Sequence, residues 1–347
     1  MLKIGPHTLT NNVFLAPMSG VTDLPFRRIV AEAGAGGVVS EMVASEEFVR
    51  ERADVVLRAA FDGVQAVPRI LQLAGREERW MEEGASLAEA AGADIVDINM
   101  GCPARQVTGH LSGSALMRDL DHAQRLIEAT VRGTTKPVTL KMRLGWDHDS
   151  LNAPELARRA EAAGVALITV HGRTRQQFYT GQADWTAVAA TKKATHLPVI
   201  VNGDILDAET ARRALKRSGA DGVMVGRAAE GRPWLPGAIA EALQTGGHVE
   251  APTAREQAAM MIRLHRETVD HYAMNHRRGW AQGERLGLRT VRKHLAAFID
   301  TVDGPFSAER RSSLRAALCQ SMDRVFIEEA LFAIGEGQSL QPVETVA

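Results

Sequence analysis

The sequence has 347 residues, which is enough for a barrel-sized domain of about 250 residues and a smaller second one. Its 41 Lys and Arg residues nearly balance 42 Asp and Glu residues, so the net charge of −1 excludes a partner selected by bulk charge alone. Hydrophobic residues make up 45% of the chain, yet no run approaches the roughly 18 apolar residues that span a bilayer, and the N-terminus lacks the apolar core of a signal peptide.

The chain has two cysteines, Cys102 and Cys319, which lie far apart in the sequence. Neither belongs to a CxxC or CxxH pattern, so we expect no disulfide and no zinc or other metal site. This cysteine usage favours the reducing cytoplasm as the compartment.

Eight short apolar, β-branched runs recur from residue 13 to residue 226, and helical patterns separate them. The predicted strands are VFLAP (13–17), GVVS (37–40), VPRILQL (67–73), DIVDIN (94–99), PVTLKM (137–142), ALITVH (166–171), PVIVN (198–202) and GVMVG (222–226). This alternation predicts an α/β fold, a parallel (β/α)8 TIM barrel. A doubly wound open sheet has the same alternation, but no GxGxxG motif opens a helix after the first strand.

Most of the predicted strands end on a polar residue. The residues at the strand ends are Pro17 with Met18, Glu41, Gln72, Asn99, Lys141, His171, Asn202, and Gly226 with Arg227. Polar residues can simply mark the start of loops, but loop starts alone do not readily explain a ring of Gln, Asn, Lys, His and Asn at the strand ends. Because the active site of such a barrel lies at the C-terminal ends of its strands, we expect these side chains to form one.

The seventh and eighth strands are followed by VNGDI and VGRAAEGRPW. These loops place glycines and Arg227 where barrels commonly bind phosphate, because glycine lets backbone N–H groups approach an anion. The sequence therefore predicts a cofactor that carries phosphate.

Lys141 lies in a strand that otherwise has the pattern of a buried one, where an unpaired ammonium group is costly. It should face an anion or an electron-rich acceptor, and the pyrimidine end of a flavin ring fits. A Schiff-base lysine is the alternative, and the phosphate site does not separate the two.

The alternation of strands and helices stops after residue 245, and Gly246, Gly247 and Pro252 mark a boundary. We therefore divide the chain into a catalytic barrel, 1–245, and a helical domain, 253–340, with helices predicted over 253–275, 282–300, 307–318 and 321–335. Between His276 and His294 there are six basic residues and one acid, Glu284. This segment is either a solvated helix face or a surface for nucleic-acid phosphates.

Six motifs in order then resemble the tRNA-dihydrouridine synthases, and most closely their bacterial B-type subgroup. The motifs are APMSGVTDLPFR (16–27), DINMGCP (97–103), LKMRLGW (140–146), TVHGRTR (169–175), NGDI (202–205) and GRAAEGRPW (226–234). The C-terminal RTVRKHLAAFI (289–299) is also similar to that family's helical domain.

The resemblance implies a monomeric FMN enzyme that uses NADPH to reduce uridine to 5,6-dihydrouridine in the D-loop of tRNA. The residues it assigns to the flavin, its ribityl chain and its phosphate are Pro17, Met18, Ser19, Gln72, Lys141, His171, Asn202, Gly203, Asp204, Gly226 and Arg227.

The same resemblance makes Cys102 the proton donor to the uracil. An ordinary cysteine has a pKa of about 8.5 and so carries its proton at neutral pH. Asn99 suits the uracil edge because an amide both donates and accepts. The expected contacts to the uridine and to the rest of the tRNA are Asn99, Arg143, Arg173, Arg175, Arg285, Arg289, Arg292 and Lys293.

The target uridine must leave its stack to reach a pocket, and Gly109, Ser112 and Gly113 are expected to let the cysteine loop move over it. Two other functions stay open at this point. One is an FMN barrel that acts on a small pyrimidine, and the other is a non-catalytic RNA-binding protein that keeps a flavin fold.

Overall fold

Eight parallel strands close into a barrel in the part of the chain that the computed structural model describes, residues 1–108, 111–304 and 306–338. In chain order the described strands are β1 (Lys3–Ile4), β2 (His7–Thr8), β3 (Val13–Leu15), β4 (Gly37–Val39), β5 (Val43–Ala44), β6 (Arg69–Ala74), β7 (Ile95–Met100), β8 (Val138–Arg143), β9 (Leu167–His171), β10 (Val199–Asn202) and β11 (Gly222–Val225). The eight barrel strands are β3, β4 and β6 to β11, while β5 pairs with β6 alone and β1 and β2 form a separate hairpin. Strand β3 pairs with β11, and β4 pairs with both β3 and β6, which closes the ring. Each predicted strand overlaps a barrel strand, so the predicted (β/α)8 barrel is confirmed.

Helices connect the barrel strands and continue beyond them. They are α1 (Leu24–Glu32), α2 (Ser45–Val49), α3 (Ala53–Arg58), α4 (Glu78–Ala90), α5 (Arg105–Thr108), α6 (Leu120–Arg132), α7 (Ala153–Ala162), α8 (Trp185–Ala194), α9 (Ala208–Ser218), α10 (Leu235–Thr245), α11 (Ala254–Asn275), α12 (Trp280–Thr301), α13 (Ala308–Gln320) and α14 (Arg324–Gly335). Among these described helices, none combines the length and the apolar composition that a membrane crossing requires.

Aspartates begin several of the barrel helices. The carboxylates of Asp119, Asp184 and Asp207 accept backbone N–H groups in the first turns of α6, α8 and α9. Such caps satisfy donors that have no partner inside the helix. Helix α9 ends at Gly219, whose φ of 65° is a left-handed conformation that glycine adopts without strain.

The N-terminal hairpin of β1 and β2 plugs the bottom of the barrel. Ile4 and Leu9 are 1% and 2% exposed and belong to one apolar cluster with residues of the barrel strands. The strand members of this cluster are Phe14, Val39, Ile70, Ile95, Leu167, Ile200 and Met224. The N-terminal end of the barrel is therefore a packed core, which leaves the opposite end for polar side chains.

The second compact unit contains the four C-terminal helices that were predicted from the sequence. It comprises Ala229–Leu235 and the chain from Glu250 onward, while Pro236–Val249 belongs with the barrel. Helices α11 and α12 approach closely at two glycines: a Cβ on Gly283 or Gly287 would lie within 3 Å of the backbone of α11. Two parts of the predictions, Gly109 and residues 339–340, lie outside the described residues.

Candidate active site

Polar side chains from neighbouring strands meet at the C-terminal rim of the barrel. The register pairs Asn99 on β7 with Lys141 on β8, and His171 on β9 with Asn202 on β10. Gln72 lies one strand further along, on β6, and is fully buried. The structure thus brings together five of the polar strand-end residues that the sequence indicated: Gln72, Asn99, Lys141, His171 and Asn202.

A series of buried hydrogen bonds runs across β8, β7 and β6. The Thr139 hydroxyl donates to Asp97 Oδ1 (2.6 Å), and Gln72 Nε2 donates to Asp97 Oδ2 (2.7 Å). Asn99 Nδ2 then donates to Gln72 Oε1 over 2.7 Å. Burial raises the pKa of Asp97, and the hydrogen bonds from Thr139 and Gln72 and the charge of Lys141 oppose that rise.

This series of hydrogen bonds ends on the backbone of the cysteine loop. Asn99 Oδ1 accepts the N–H groups of Gly101 (3.1 Å) and Cys102 (2.9 Å). On its other side, the Cys102 carbonyl accepts both the backbone N–H of Ser114 (3.0 Å) and its hydroxyl (2.8 Å). Cys102 is half-buried and its thiol is free, so the loop fixes its backbone while leaving the sulfur available for chemistry.

Lys141 carries a buried ammonium group in the middle of this rim. The residue is 9% exposed, and its Nζ donates to Asn202 Oδ1 over 3.1 Å. Burial lowers the pKa of Lys141 to about 8, and the nearby Arg143 contributes to this, while Asp97 and Cys102 act in the opposite direction. A buried cation whose hydrogen bond goes to a neutral amide is suited to an anionic or electron-rich ligand.

His171 is held as a neutral imidazole. Burial lowers its pKa well below the usual value, and the positive charges of Arg143, Lys141, Arg173 and Arg227 add to the effect. The Arg173 guanidinium lies 3.3 Å from His171 Nε2. Because a guanidinium only donates, Nε2 is the acceptor and the ring proton is on Nδ1.

Arg143 lies in the interior and is 1% exposed. Its guanidinium donates to the carbonyls of Gly101, Thr174 and Phe178 at 2.8 to 2.9 Å. These contacts tie the cysteine loop to the loop after β9. Burial lowers the pKa of Arg143 to about 10.

Arg173 is also buried and forms a bidentate ion pair with Asp204, with Nη2 at 2.9 and 2.8 Å from the two carboxylate oxygens. It also donates to the carbonyls of Thr180 and Gly181. The sequence predicted that Arg143 and Arg173 contact RNA or the uridylate, and the family resemblance assigned Asp204 to the cofactor. The structure places these three side chains in contacts that hold the active-site loops together.

Gly203 and Gly226 shape the corner where a phosphate was predicted. Gly203 has a φ of 109°, and a Cβ there would lie 2.8 Å from Ala183 and 2.9 Å from the His171 ring. Among the residues that the structure describes, a Cβ on Gly226 would meet nothing nearer than Met18 Sδ at 4.0 Å, so this position faces open space. Arg227 follows directly and is exposed, which leaves room and charge for an anion.

The loop from Pro17 to Gly20 follows β3, next to Gly226. The backbone N–H of Met18 donates to the Thr22 hydroxyl, and the backbone N–H of Gly20 donates to the buried carboxylate of Glu41. Pro17 and Met18 are half-buried and Ser19 is exposed. This loop therefore has a defined backbone shape beside the open corner.

The sequence did not single out the aromatic residues at the rim. Tyr179 is 48% exposed, and the guanidinium carbons of Arg143 and Arg227 lie 5.7 and 5.4 Å from its ring centroid. Arg175, predicted to contact tRNA, lies 4.9 Å from the ring centroid of Trp146, another residue that the sequence did not single out. The adjacent aromatics in RQQFYTGQ, an otherwise polar loop, were the available signal for Tyr179.

Within the helical unit, the predicted basic residues fall into two groups. Arg285, Arg289 and Lys293 are exposed and spaced four residues apart, which places them on one face of α12. Arg292 is half-buried, and its Nη2 lies 3.5 Å from the carbonyls of Gln320 and Ser321 at the end of α13. The exposed stripe is available to a ligand, whereas Arg292 caps a neighbouring helix.

Solved structures with related folds share the barrel. A 2-naphthoyl-CoA reductase complex matches with a TM-score of 0.55 at 14% identity, covering 71% of this chain and 52% of that one. The 6-hydroxypseudooxynicotine amine oxidase from Pseudomonas geniculata N1 matches with a TM-score of 0.52 at 17% identity, covering 76% and 52%. The chain spans about half the length of these proteins, and at such identities the likeness shows the fold alone.

Sequence comparisons are more specific. A family model described as dihydrouridine synthase (Dus) matches residues 14–330. A probable tRNA-dihydrouridine synthase of Rhodobacter capsulatus is 52% identical over 86% of this chain and 89% of its own length. The tRNA-dihydrouridine synthase B of Pseudomonas aeruginosa is 41% identical over 94% of this chain and 96% of its own length. The chain therefore belongs to the dihydrouridine synthase family of oxidoreductases.

Proposed function

We propose that this protein reduces uridine in the D-loop of tRNA to 5,6-dihydrouridine, with FMN as its cofactor, NADPH as the reductant and Cys102 as the proton donor. The observation that carries the proposal is the arrangement at the rim. A free, half-buried thiol on a fixed backbone shares the rim with a buried ammonium group and an open glycine corner.

The residues of the rim fit a flavin mononucleotide. The open space at Gly226, next to the exposed Arg227, suits a phosphate, and Gly203 and Asn202 border the same corner. The donors for the ring system come from Lys141 and His171 Nδ1–H, and the backbone on one side comes from Pro17, Met18 and Ser19. Gln72 is fully buried and bonded to Asp97 and Asn99, so it supports the flavin site through these neighbours. When it is bound, the reduced flavin supplies the hydride for C6 of the uracil.

Cys102 delivers the proton to C5, so that one hydride and one proton saturate the C5–C6 bond. Lys141 and Arg143 lie close enough to interact with a negative charge on the Cys102 sulfur. Asn99 holds the Cys102 backbone, and the second N–H of its amide is a donor for a uracil carbonyl.

The proposal assigns tRNA contacts to Arg175 at the rim and to Arg285, Arg289 and Lys293 on α12. Basic side chains suit RNA phosphates, and the three on α12 are exposed. We further propose that the protein is cytoplasmic, in keeping with its two free cysteines. We also propose that it acts as a monomer.

Replacement of the thiol tests the proposal. We expect Cys102→Ala to bind FMN and to oxidise NADPH, but to form dihydrouridine in tRNA at least about 100-fold more slowly, because the proton donor is missing. Cys319→Ala, which removes the other cysteine, is the matched control and should form dihydrouridine normally. Near-normal dihydrouridine formation by Cys102→Ala, or its absence in the wild type, would overturn the proposal.

A further inference from the structure

The series of hydrogen bonds that ends on the cysteine loop has a defined direction. The N–H groups of Gly101 and Cys102 are donors, so the Asn99 side chain must present its oxygen to them. Its amide nitrogen then faces Gln72, which must accept through Oε1. The Gln72 nitrogen is left to face position 97, where only an acceptor fits.

Asp97 meets this requirement from the opposite end. An ionised carboxylate only accepts, and both of its oxygens are engaged, one by Gln72 and one by the Thr139 hydroxyl. The backbone of the cysteine loop requires Asn99 and Gln72 to point their amide oxygens toward it. The Asp97 carboxylate at the other end requires the same orientation, because the Gln72 nitrogen must face it. Asp97 and Gln72 are 4% and 0% exposed, so water does not compete for these bonds.

We propose that Asp97 is a positioning residue for Cys102: it orients the Gln72 amide, which orients the Asn99 amide, which fixes the peptide of the proton donor. The proposal rests on the function proposed above, because it gives Asp97 a role in protonating C5. One of the two Asn99 N–H groups is used within the series of hydrogen bonds, so only the other N–H remains for the uracil.

The direction of the series can be reversed by exchanging the residue types at positions 97 and 99. In Asn99→Asp, Gln72 faces a carboxylate on both sides and its amide nitrogen can reach only one of them. In Asp97→Asn, the new amide can present its oxygen to Gln72 and its nitrogen to Thr139, whose hydroxyl oxygen also accepts. In the double variant Asp97→Asn/Asn99→Asp, a flipped Gln72 donates to the carboxylate introduced at position 99 and accepts from the amide introduced at position 97, so every group again has a partner.

The test compares these three variants in the flavin-loaded protein. We expect Asn99→Asp to slow dihydrouridine formation by about 100-fold, and Asp97→Asn by less than about tenfold. The double variant should recover at least about tenfold over Asn99→Asp, although it carries the same new charge at position 99. Asp94→Asn is the matched control, because it removes a carboxylate that pairs with Arg69 outside this series of hydrogen bonds.

A second measurement does not depend on turnover. Amide hydrogen exchange at Gly101 and Cys102 should accelerate in Asn99→Asp and slow again in the double variant. If Asn99→Asp yields no folded protein, recovery of folded, flavin-binding protein in the double variant supports the proposal, and failure of the double variant to fold overturns it.

The proposal also fails if the double variant is no better than Asn99→Asp in rate and exchange, or if Asp97→Asn is as damaging as Asn99→Asp. A wild-type protein that forms no dihydrouridine would contradict the proposed function, while the exchange measurement would still decide whether Asp97 orients the loop.

Discussion

Replacing Lys141 by Met should stabilise the flavin-free protein at neutral pH. The fold lowers the pKa of Lys141 from its usual 10.5 to about 8, chiefly by burial. At about 1.4 kcal/mol per pKa unit, keeping this ammonium group charged in the fold costs about 3 kcal/mol. A methionine at this position is similar in length, carries no charge and removes this cost, at the expense of the hydrogen bond to Asn202.

The pH dependence isolates the electrostatic part of this effect. Below about pH 8 Lys141 is protonated in both folded and unfolded chains, so the full cost is present. Between about pH 8 and 10.5 the unfolded chain still holds the proton that the folded chain has lost, and the wild type gains stability as the pH rises. The gain is about 2 kcal/mol between about pH 7 and pH 9.5.

The assay is urea denaturation of wild type and Lys141→Met, both freed of flavin, at a series of pH values. The free energy of unfolding of the wild type minus that of the variant should rise with pH above about 8, because all other titrating groups are shared and cancel. A difference that stays flat or falls over this range would show that the fold does not lower the pKa of Lys141. With FMN bound, the order should reverse, since the charge then has a partner.

Three further outcomes follow from the site and the helical unit. Gly226→Val should weaken FMN binding more than about tenfold in a fluorescence titration. The stability of the apoprotein should not fall, because the Cβ meets open space. Unchanged FMN affinity would contradict a phosphate site at Gly226. Arg173→Leu should lower the free energy of unfolding by about 3 kcal/mol, since Asp204 loses its partner, and the double variant Arg173→Leu/Asp204→Asn should recover part of that loss. Equal losses of stability in the single and the double variant would contradict this role of the ion pair. Arg289→Glu should weaken tRNA binding and reduce the slope of log affinity against log salt concentration by about one, whereas Arg213→Glu on the barrel should change neither. Equal effects of the two charge reversals on tRNA binding would contradict a role for the basic stripe on α12.

The barrel and its polar rim could be predicted because both depend on local patterns in the sequence. Each strand is a short apolar run, and a polar residue such as Asn99 or Lys141 near its end marks the functional face. The four C-terminal helices were equally predictable from their periodicity. The hairpin of β1 and β2 was missed because strands of two residues have no detectable period.

The partners of the charged residues could not be predicted in the same way. In the sequence Arg143 and Arg292 look no different from the exposed Arg289, yet each contacts backbone carbonyls of a distant loop or helix end. The contacts of Asp97 were also hidden, because a single aspartate inside a strand does not reveal which amide it faces. These contacts depend on chain segments that only the closed fold brings together.

The plug at the bottom of the barrel has a consequence for synthesis on the ribosome. Val13 of β3 pairs with Val223 of β11, and Ile4 and Leu9 share their apolar cluster with residues as late as Met224. Ile4 and Leu9 leave the exit tunnel long before Met224 and cannot complete their packing until the last barrel strand has emerged, while apolar strand edges remain uncovered. In contrast, α11 and α12 are neighbours in sequence and can dock as soon as they emerge. During translation, closure of the ring at β3 and β11 is thus the late event in the folding of the barrel.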